Sequence, residues 1–389
     1  MDTGIQVESL KVAELGDSER RLWSAFRAAD PRLRSPYFDL RYVEAAGDVA
    51  PGGRLAVIHR AGTVVGFLPY QRRGATLQPL AAPLSDFHGV VAAPAADIDL
   101  VEVVRALGVD RARFTGLITD LAGSGGRARH AMAADLSGGF EAYEAGRSAA
   151  FLKDKRRRAR ALARDHGSVV FTLDHPTPEL LDLVIARKRA QIQRTHQHDI
   201  FACGWTETLL RRLDAIDEPD FGLKLAVLRA GDRVIAAELG LTSGARHHLW
   251  FPIYDPAFAK YSPGALMTLE TLKAATGQGI SRVDFGPSEE LYKEDFADRM
   301  EPVFEGVVHG RPSLAARLGP LPSGAARFSA AGERLGRRLD RISACEPHLI
   351  GQMRGASSLV TGLAIRHPRL GAGLGAGLGL GLSLGLLAD

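Results

Sequence analysis

The chain has 389 residues, enough for two ordinary domains, because a single hydrophobic core rarely grows past roughly 250–300 residues. A hydrophobic fraction of 46% and a charged fraction of 24% are globular values and exclude disorder as the state of most of the chain. The net charge of +4 permits an anionic partner, such as a nucleotide-bearing cofactor, without requiring nucleic acid. From the N-terminus, helices are expected over 18–29 and 38–46, then a β-hairpin over 55–70, a helix over 97–107 and a strand over 113–118. A glycine-rich loop follows at 121–126, and a domain join is expected between 136 and 140.

The second half is more strongly patterned. Helices are expected over 148–166, 178–197 and 206–216, and strands over 223–228, 233–241 and 246–254. A helix over 264–276, a strand over 282–285, a helix over 289–299 and a closing strand over 303–309 complete it. Leu55-Ala56-Val57-Ile58 runs into Ala61-Gly62, and Leu225-Ala226-Val227-Leu228 runs into Ala230-Gly231, each followed by a second apolar strand. Matching hairpins so far apart point to duplicated units, although strand–turn–strand segments are common. The reading is a mixed-sheet α+β chain with an N-terminal domain over 1–138, a second, better-patterned domain over 139–310 and a Pro/Gly/Ala/Arg-rich tail over 311–389.

Within the tail, some helix is expected over 332–343. The uncharged stretch 370–388 is long enough to span a bilayer, but its many glycines favour a flexible low-complexity segment over a membrane helix. Cys203 and Cys345 are far apart and give neither a disulfide framework nor zinc-ligand spacing, which suits a reducing compartment. With no signal-peptide pattern at the start, the cytoplasm is the expected location. His196 and His198 are read as two apart on one helix, and His247 and His248 as neighbours on a strand, so neither pair shares a face and no metal site is expected.

The most informative stretch is Trp250-Phe251-Pro252-Ile253-Tyr254-Asp255-Pro256 followed by Tyr261-Ser262-Pro263-Gly264-Ala265-Leu266. It reads as a strand, a loop and an abrupt helix start, with Ser262 as cap and Pro263 in the first turn, where a missing N–H costs nothing. Gly264 lets a ligand approach the backbone, and free amides with the helix dipole suit a pyrophosphate; an ordinary capped helix has the same local features.

With Val283-Asp284-Phe285-Gly286, Tyr292-Lys293 and Phe296, this region resembles the GNAT acyltransferases, and more closely the CelD-like acetyltransferases associated with bacterial cellulose biosynthesis. The resemblance covers about 148–310, is weaker before that and absent after 311. Two such folds in tandem are also similar to the Fem-type aminoacyl transferases. The resemblance implies tandem GNAT-like folds, the second better preserved, and acetyl-CoA or another acyl-CoA as cofactor. The pantetheine arm would lie between the strands 246–254 and 282–285. Its diphosphate would sit at the helix start formed by Tyr261, Ser262, Gly264, Ala265 and Leu266, beside Tyr254. A backbone N–H near Phe251 or Ile253 would polarise the thioester carbonyl.

Where the GNAT phosphate loop usually opens with Gln or Arg and closes with Gly or Ala, this chain has Tyr261 and Leu266. Tyr292 matches the tyrosine that protonates the departing thiolate in GNAT enzymes, or packs under a helix. Glu238 and Asp284 are candidate general bases, Glu238 having apolar neighbours, or else partners of Lys293 and Arg282. The expected acceptor is small or polysaccharide-related, with exopolysaccharide machinery as an expected partner. The basic residues of 147–164 wrap around their helix, which suits a solvated face or docking of an anionic acceptor better than nucleic acid. A Fem-like ligase, or a non-catalytic partner of a polysaccharide synthase, is the alternative.

Overall fold

A computed structural model describes residues 4–120, 126–195, 197–287 and 291–310, with 339, 341–346, 351–353 and 355. The glycine-rich loop at 121–125, the remainder of 311–389 and the stretch 370–388 lie outside the described residues, and among those described no helix is long and apolar enough to cross a membrane. In chain order the elements are β1 (Ile5–Leu10), α1 (Asp17–Ala29), α2 (Leu40–Val49), β2 (Gly53–Arg60), β3 (Thr63–Arg73), β4 (Thr76–Pro79), β5 (Val91–Ala92), α3 (Leu100–Ala106), β6 (Arg111–Leu117) and β7 (Arg127–Asp135). Then follow α4 (Gly139–Ala145), α5 (Ala149–His166), β8 (Val169–Asp174), α6 (Pro178–Arg194), α7 (Trp205–Asp214), β9 (Phe221–Ala230), β10 (Arg233–Ser243) and β11 (Arg246–Tyr254). Last come α8 (Pro263–Gly277), β12 (Arg282–Pro287) and β13 (Arg299–His309).

Both expected hairpins form, through different turns. Ala61 and Gly62 both take positive φ, as a type I′ turn requires, whereas in the second loop Gly231 takes it at the first position. Helices start where side chains can supply a cap: Asp39 accepts from the Arg41 amide at α2, and Thr177 from the Leu180 amide at α6, with Pro178 next. The expected helix over 289–299 is instead a single 3-10 turn, Leu291–Asp295, after which β13 begins early at Arg299; residues 288–290 are outside the described set. Helix α6 stops at Arg194, so His198 is not helical, and His196 lies outside the described residues.

All strands join one mixed sheet whose order is a palindrome. From one edge it runs β1-β2-β3-β4-β6 and from the other β8-β9-β10-β11-β12. Each run carries its parallel pair at the same place, β4 with β6 and β11 with β12. At the centre the final strands are exchanged: β13 pairs with β6, and β7 with β12. The chain is thus two tandem α+β units in one sheet. A cut at 138/139 therefore separates them in sequence but not in pairing.

Helices α1, α2, α6 and α7 cover one face over a continuous core containing Trp23, Tyr42, Leu181 and Leu209. The other face is covered by α3 with Val103 and Val104 in the first unit, and by α5 and α8 in the second.

The two units differ at one point. In the first, β4 pairs with β6 for only two residues, but the chain returns and His88 bridges to Leu117, its N–H donating to the Gly116 carbonyl and its C=O accepting from the Ile118 amide. The following β5 then pairs with β3. The potential gap beside β6 is therefore filled by the unit's own backbone. Gly116 makes this possible, since a Cβ there would stand 2.0 Å from the Asp86 carbonyl oxygen.

The cysteines correct an expectation. A short helical segment over 341–345 docks against both units: Gln71 and Arg73 of β3 donate to the Ala344 carbonyl, and Trp205 of α7 donates to the Cys345 carbonyl. This brings Cys345 Sγ to 2.7 Å from Cys203 Sγ, although 142 residues separate them. Sequence distance carried no information about this contact, because the returning segment is invisible to local pattern.

Gly116→Ala should lower stability by about 2 kcal/mol or more, as overpacking against rigid backbone does; urea unfolding measures this, and an unchanged midpoint would contradict the filled gap. Burial drives the His88 imidazole down to about 4, against a partial rise from Asp86, and drives His247 down to about 3, helped by His248 and Lys224. Both rings are therefore neutral in the folded chain while the unfolded chain takes up protons below about 6.5. Stability should be full above that pH and fall as pH drops, by up to about 1.4 kcal/mol per unit for each ring, levelling near each folded value. His88→Gln should flatten this limb in melts taken between pH 7 and 4.

Candidate active site

In the second unit the gap stays open. β11 and β12 pair in parallel only over Arg246–Arg282, His247–Val283 and His248–Asp284, and then part. Beyond that point β12 turns through a bulge toward β7, with Gly286 opposite Met132, while β11 continues along β10 to Tyr254. Gly286 sits at φ +73°, a conformation few side chains tolerate.

A cavity of about 590 Å³ fills the opening, a size suited to a small ligand or cofactor arm. Leu249, Trp250, Pro252 and Tyr254 form its β11 wall, Phe285 and Pro287 its β12 wall, and the first turn of α8 one end. Because the sheet is parted, Lys188 and Gln191 of α6 reach the cavity from the opposite face. The Lys188 ammonium donates to the Pro252 carbonyl at 3.3 Å, and the Gln191 side-chain oxygen is buried without a partner among the described residues.

Of the residues read as catalytic, Glu238 and Tyr292 line this cavity and Asp284 does not. Glu238 stands opposite Pro252 and is 6% exposed; it shares its sheet face with Ala236, under α8. Tyr292 lies in the 3-10 turn at the cavity rim and is half exposed. Asp284 is instead buried in an ion pair, its Oδ1 accepting from Arg282 Nε at 2.7 Å, and Arg282 also holds Glu301. Lys293 donates to the Phe285 carbonyl at 2.9 Å.

The residues read as cofactor-binding divide the same way. Tyr254, Ser262, Gly264 and Ala265 line the cavity. Phe251 and Ile253 alternate with the wall residues and so point into the core under α6 and α7. The Asp255 amide donates to Ile235 of β10, and strand alternation turns the amides of Ile253 and Phe251 the same way, away from the gap. Tyr254 is the residue whose amide faces it. Tyr261 is also core: its hydroxyl donates to Asp165 at 2.7 Å and meets His166, tying α5 to the start of α8. Leu266 is buried, and its amide bonds to the Ser262 carbonyl.

Ser262 occupies the cap position without capping through its side chain; its φ of 53° is left-handed, strained for serine by about 1 kcal/mol. Pro263 has no N–H, so Gly264 and Ala265 supply the unsatisfied amides of the first turn. A Cβ on Gly264 would meet nothing within 4 Å, so the space before it is open.

Sequence reading missed the inner end of the cavity. Asp86, carried by the first unit's gap-filling segment, projects here and bonds through Oδ2 to His248 Nε2 at 2.9 Å. His248 is fully buried, its Nδ1 has no partner among the described residues, and its ring meets Tyr37 and Phe87 edge-on. Burial by itself raises the Asp86 carboxyl, but the hydrogen bond and charge of His248, with Lys293, hold it below the ordinary carboxylate range. Gly286 makes room, since a Cβ there would stand 2.9 Å from Asp86 Oδ2. The only local signal was a polar Ser85-Asp86-Phe87-His88 stretch between apolar strands, which does not reveal its destination.

The basic run on α5 is partly paired: Lys155, Arg157 and Arg158 share the one carboxylate of Asp154, Arg156 pairs with Glu144 and Arg164 with Asp165, so the helix keeps a positive excess. Arg158 also donates to the Lys260 carbonyl, bracing the loop before α8.

Residues 149–294 match the family model described as an acetyltransferase (GNAT) domain. No curated protein matches the chain. Among solved structures it is similar to a conserved protein of unknown function from Bacteroides thetaiotaomicron, at 12% identity and a TM-score of 0.49 over 78% of this chain and 100% of that one. It is also similar to a tandem GNAT protein from the clavulanic acid biosynthesis pathway, at 12% identity and 0.46 over 79% and 99%. A third is FemX, at 12% and 0.47 over 77% and 96%. Likeness at this level carries no activity across; the assignment rests on the family match and on the parted strands within it. Residues 149–294, the stretch that holds the parted strands, are thus an acetyltransferase (GNAT) domain.

Proposed function

We propose that the chain transfers an acetyl or similar acyl group from an acyl-CoA to an amine or hydroxyl acceptor by direct attack on the thioester. The observation that carries this reading is the parting of β11 and β12 after His248 and Asp284, beside a helix start with open space before Gly264. In this reading the pantetheine lies along Trp250 to Tyr254 and the diphosphate accepts from the Gly264 and Ala265 amides. The Tyr254 amide, facing the gap, polarises the thioester carbonyl.

Glu238 takes the acceptor's proton and Tyr292 returns one to the departing thiolate, as acid–base groups lining one cavity can. Asp284 is left a structural role, because its charge is balanced by Arg282. Asp86 brings a carboxylate from the first unit to the acceptor's end of the cavity, which favours an amine-bearing acceptor over a neutral one. The saccharide-related acceptor and exopolysaccharide machinery rest on the CelD-like resemblance alone.

Gly264→Asp separates fold from function. A carboxylate in the first turn of α8 favours the helix dipole and meets open space, so the melting temperature should hold or rise. The same charge should repel a diphosphate and weaken acetyl-CoA binding at least about tenfold by titration calorimetry. Unaltered affinity would remove the diphosphate from this helix. With an acceptor found by screening amines and saccharide hydroxyls, Tyr292→Phe and Glu238→Gln should each lower kcat/KM about 10²-fold or more while leaving acetyl-CoA affinity intact. Two wild-type profiles would exclude both residues from proton transfer. Loss of acetyl-CoA binding by the unmodified chain together with tRNA binding would turn the reading to the aminoacyl alternative.

A further inference from the structure

Away from the cleft, the C-terminal segment makes a contact that acyl transfer does not use. Residues 341–345 are helical, and Ile342, Ala344 and Cys345 are almost fully buried. The segment touches the first unit through Gln71 and Arg73 and the second through Trp205. At the contact, Cys345 Sγ stands 2.7 Å from Cys203 Sγ and 3.1 Å from the Ile200 carbonyl oxygen. The chain holds two cysteines in all, and the fold brings both to one point.

We propose that Cys203 and Cys345 are a reversible disulfide site that staples the C-terminal segment across both units. The two thiols are unequal. Cys203 is partly exposed and Cys345 fully buried, so an oxidant in solution reaches Cys203 first. The hydrogen bond with Cys345 lowers the Cys203 thiol, against the effect of burial, while the same contact and burial push Cys345 up. Cys203 is therefore the attacking thiolate and Cys345 the resolving thiol.

The co-reactant is an oxidised low-molecular-weight disulfide. Cys203 thiolate displaces one of its halves as thiol and forms a mixed disulfide. Cys345 then loses its proton, attacks the Cys203 sulfur and releases the second half. Two protein thiols are oxidised by two electrons, one small disulfide is reduced to two thiols, and one S–S bond replaces another.

A metal is the rival occupant. His198, Cys345 and Glu346 each place a ligand atom within 4.8 Å of the others, and the His198 Nε2 is buried without a hydrogen-bond partner among the described residues. However, two thiolates on one tetrahedral zinc stand about 3.8 Å apart at Zn–S distances of roughly 2.3 Å. The 2.7 Å separation here is too short for one zinc to take both thiolates, so an ion on His198, Cys345 and Glu346 would have to leave Cys203 out.

The test uses the full chain, equilibrated with oxidised glutathione or with dithiothreitol, alkylated, denatured and digested with trypsin without reduction. After oxidation the peptide spanning residues 195–211 should appear joined to that spanning 342–354, with alkylatable thiols falling from two to none. Dithiothreitol should release both peptides, and the oxidised chain should melt at least about 5 °C higher than the reduced one. Cys203→Ser should abolish the link and the redox dependence of melting; the wild-type peptide map stands without it if that variant misfolds. Two thiols persisting after oxidation, a glutathione adduct on Cys203 with Cys345 still free, or one bound zinc per chain that protects both thiols would each overturn the assignment.

Discussion

Three residue pairs of parallel ladder decide what this molecule can do. β11 and β12 are hydrogen-bonded only as far as His248 and Asp284, and the cavity opens where they part. A parted sheet leaves backbone groups facing each other with no protein partner, which is unfavourable unless water or a ligand satisfies them. An extended, polar-flanked chain such as pantetheine is a suitable occupant. The parting follows from the pairing on either side: β12 bulges at Gly286 on its ladder with β7, while β11 stays paired with β10 as far as Tyr254. Beneath these, Gly240 admits the His247 ring, since a Cβ there would stand 2.4 Å from it.

The first unit supplies the contrast. It repeats the strand order but closes its own opening with the backbone around His88. That closure is also the means by which Asp86 reaches the second unit's cavity and engages His248. Duplication has thus produced a division of labour in which the filled copy furnishes a charged group to the open one. The exchange of β7 and β13 holds the two in one register, so the Asp86–His248 contact does not depend on a flexible linker.

Much of this plan is legible in the sequence. Both hairpins, the long amphipathic α6 and the Pro263 helix start have strong local signals, and the paired hairpins already argued for duplication. Strands β1, β4, β5, β7 and β8 were missed because they are short or half exposed, and β7 carries Arg127 and Arg129 at its start. The helix expected over 289–299 failed because Leu291 to Asp295 tightens to one turn before β13 takes the chain into the sheet.

At the site, Glu238, Tyr292, Tyr254, Ser262, Gly264 and Ala265 share one cavity. Phe251, Ile253, Tyr261, Leu266 and Asp284 proved to be core or ion-paired residues, which a motif cannot distinguish from wall residues one position away. Asp86 and the Cys203–Cys345 contact arise from returns of the chain over long sequence distances, where periodicity is silent.

The most direct test of the account is a crystal structure of the full chain soaked in acetyl-CoA. The account requires extended density for the pantetheine between Trp250–Tyr254 and Phe285–Pro287, with the diphosphate on the Gly264 and Ala265 amides. Strands drawn together over a cavity packed with side chains, or a cofactor seated on another face, would contradict it.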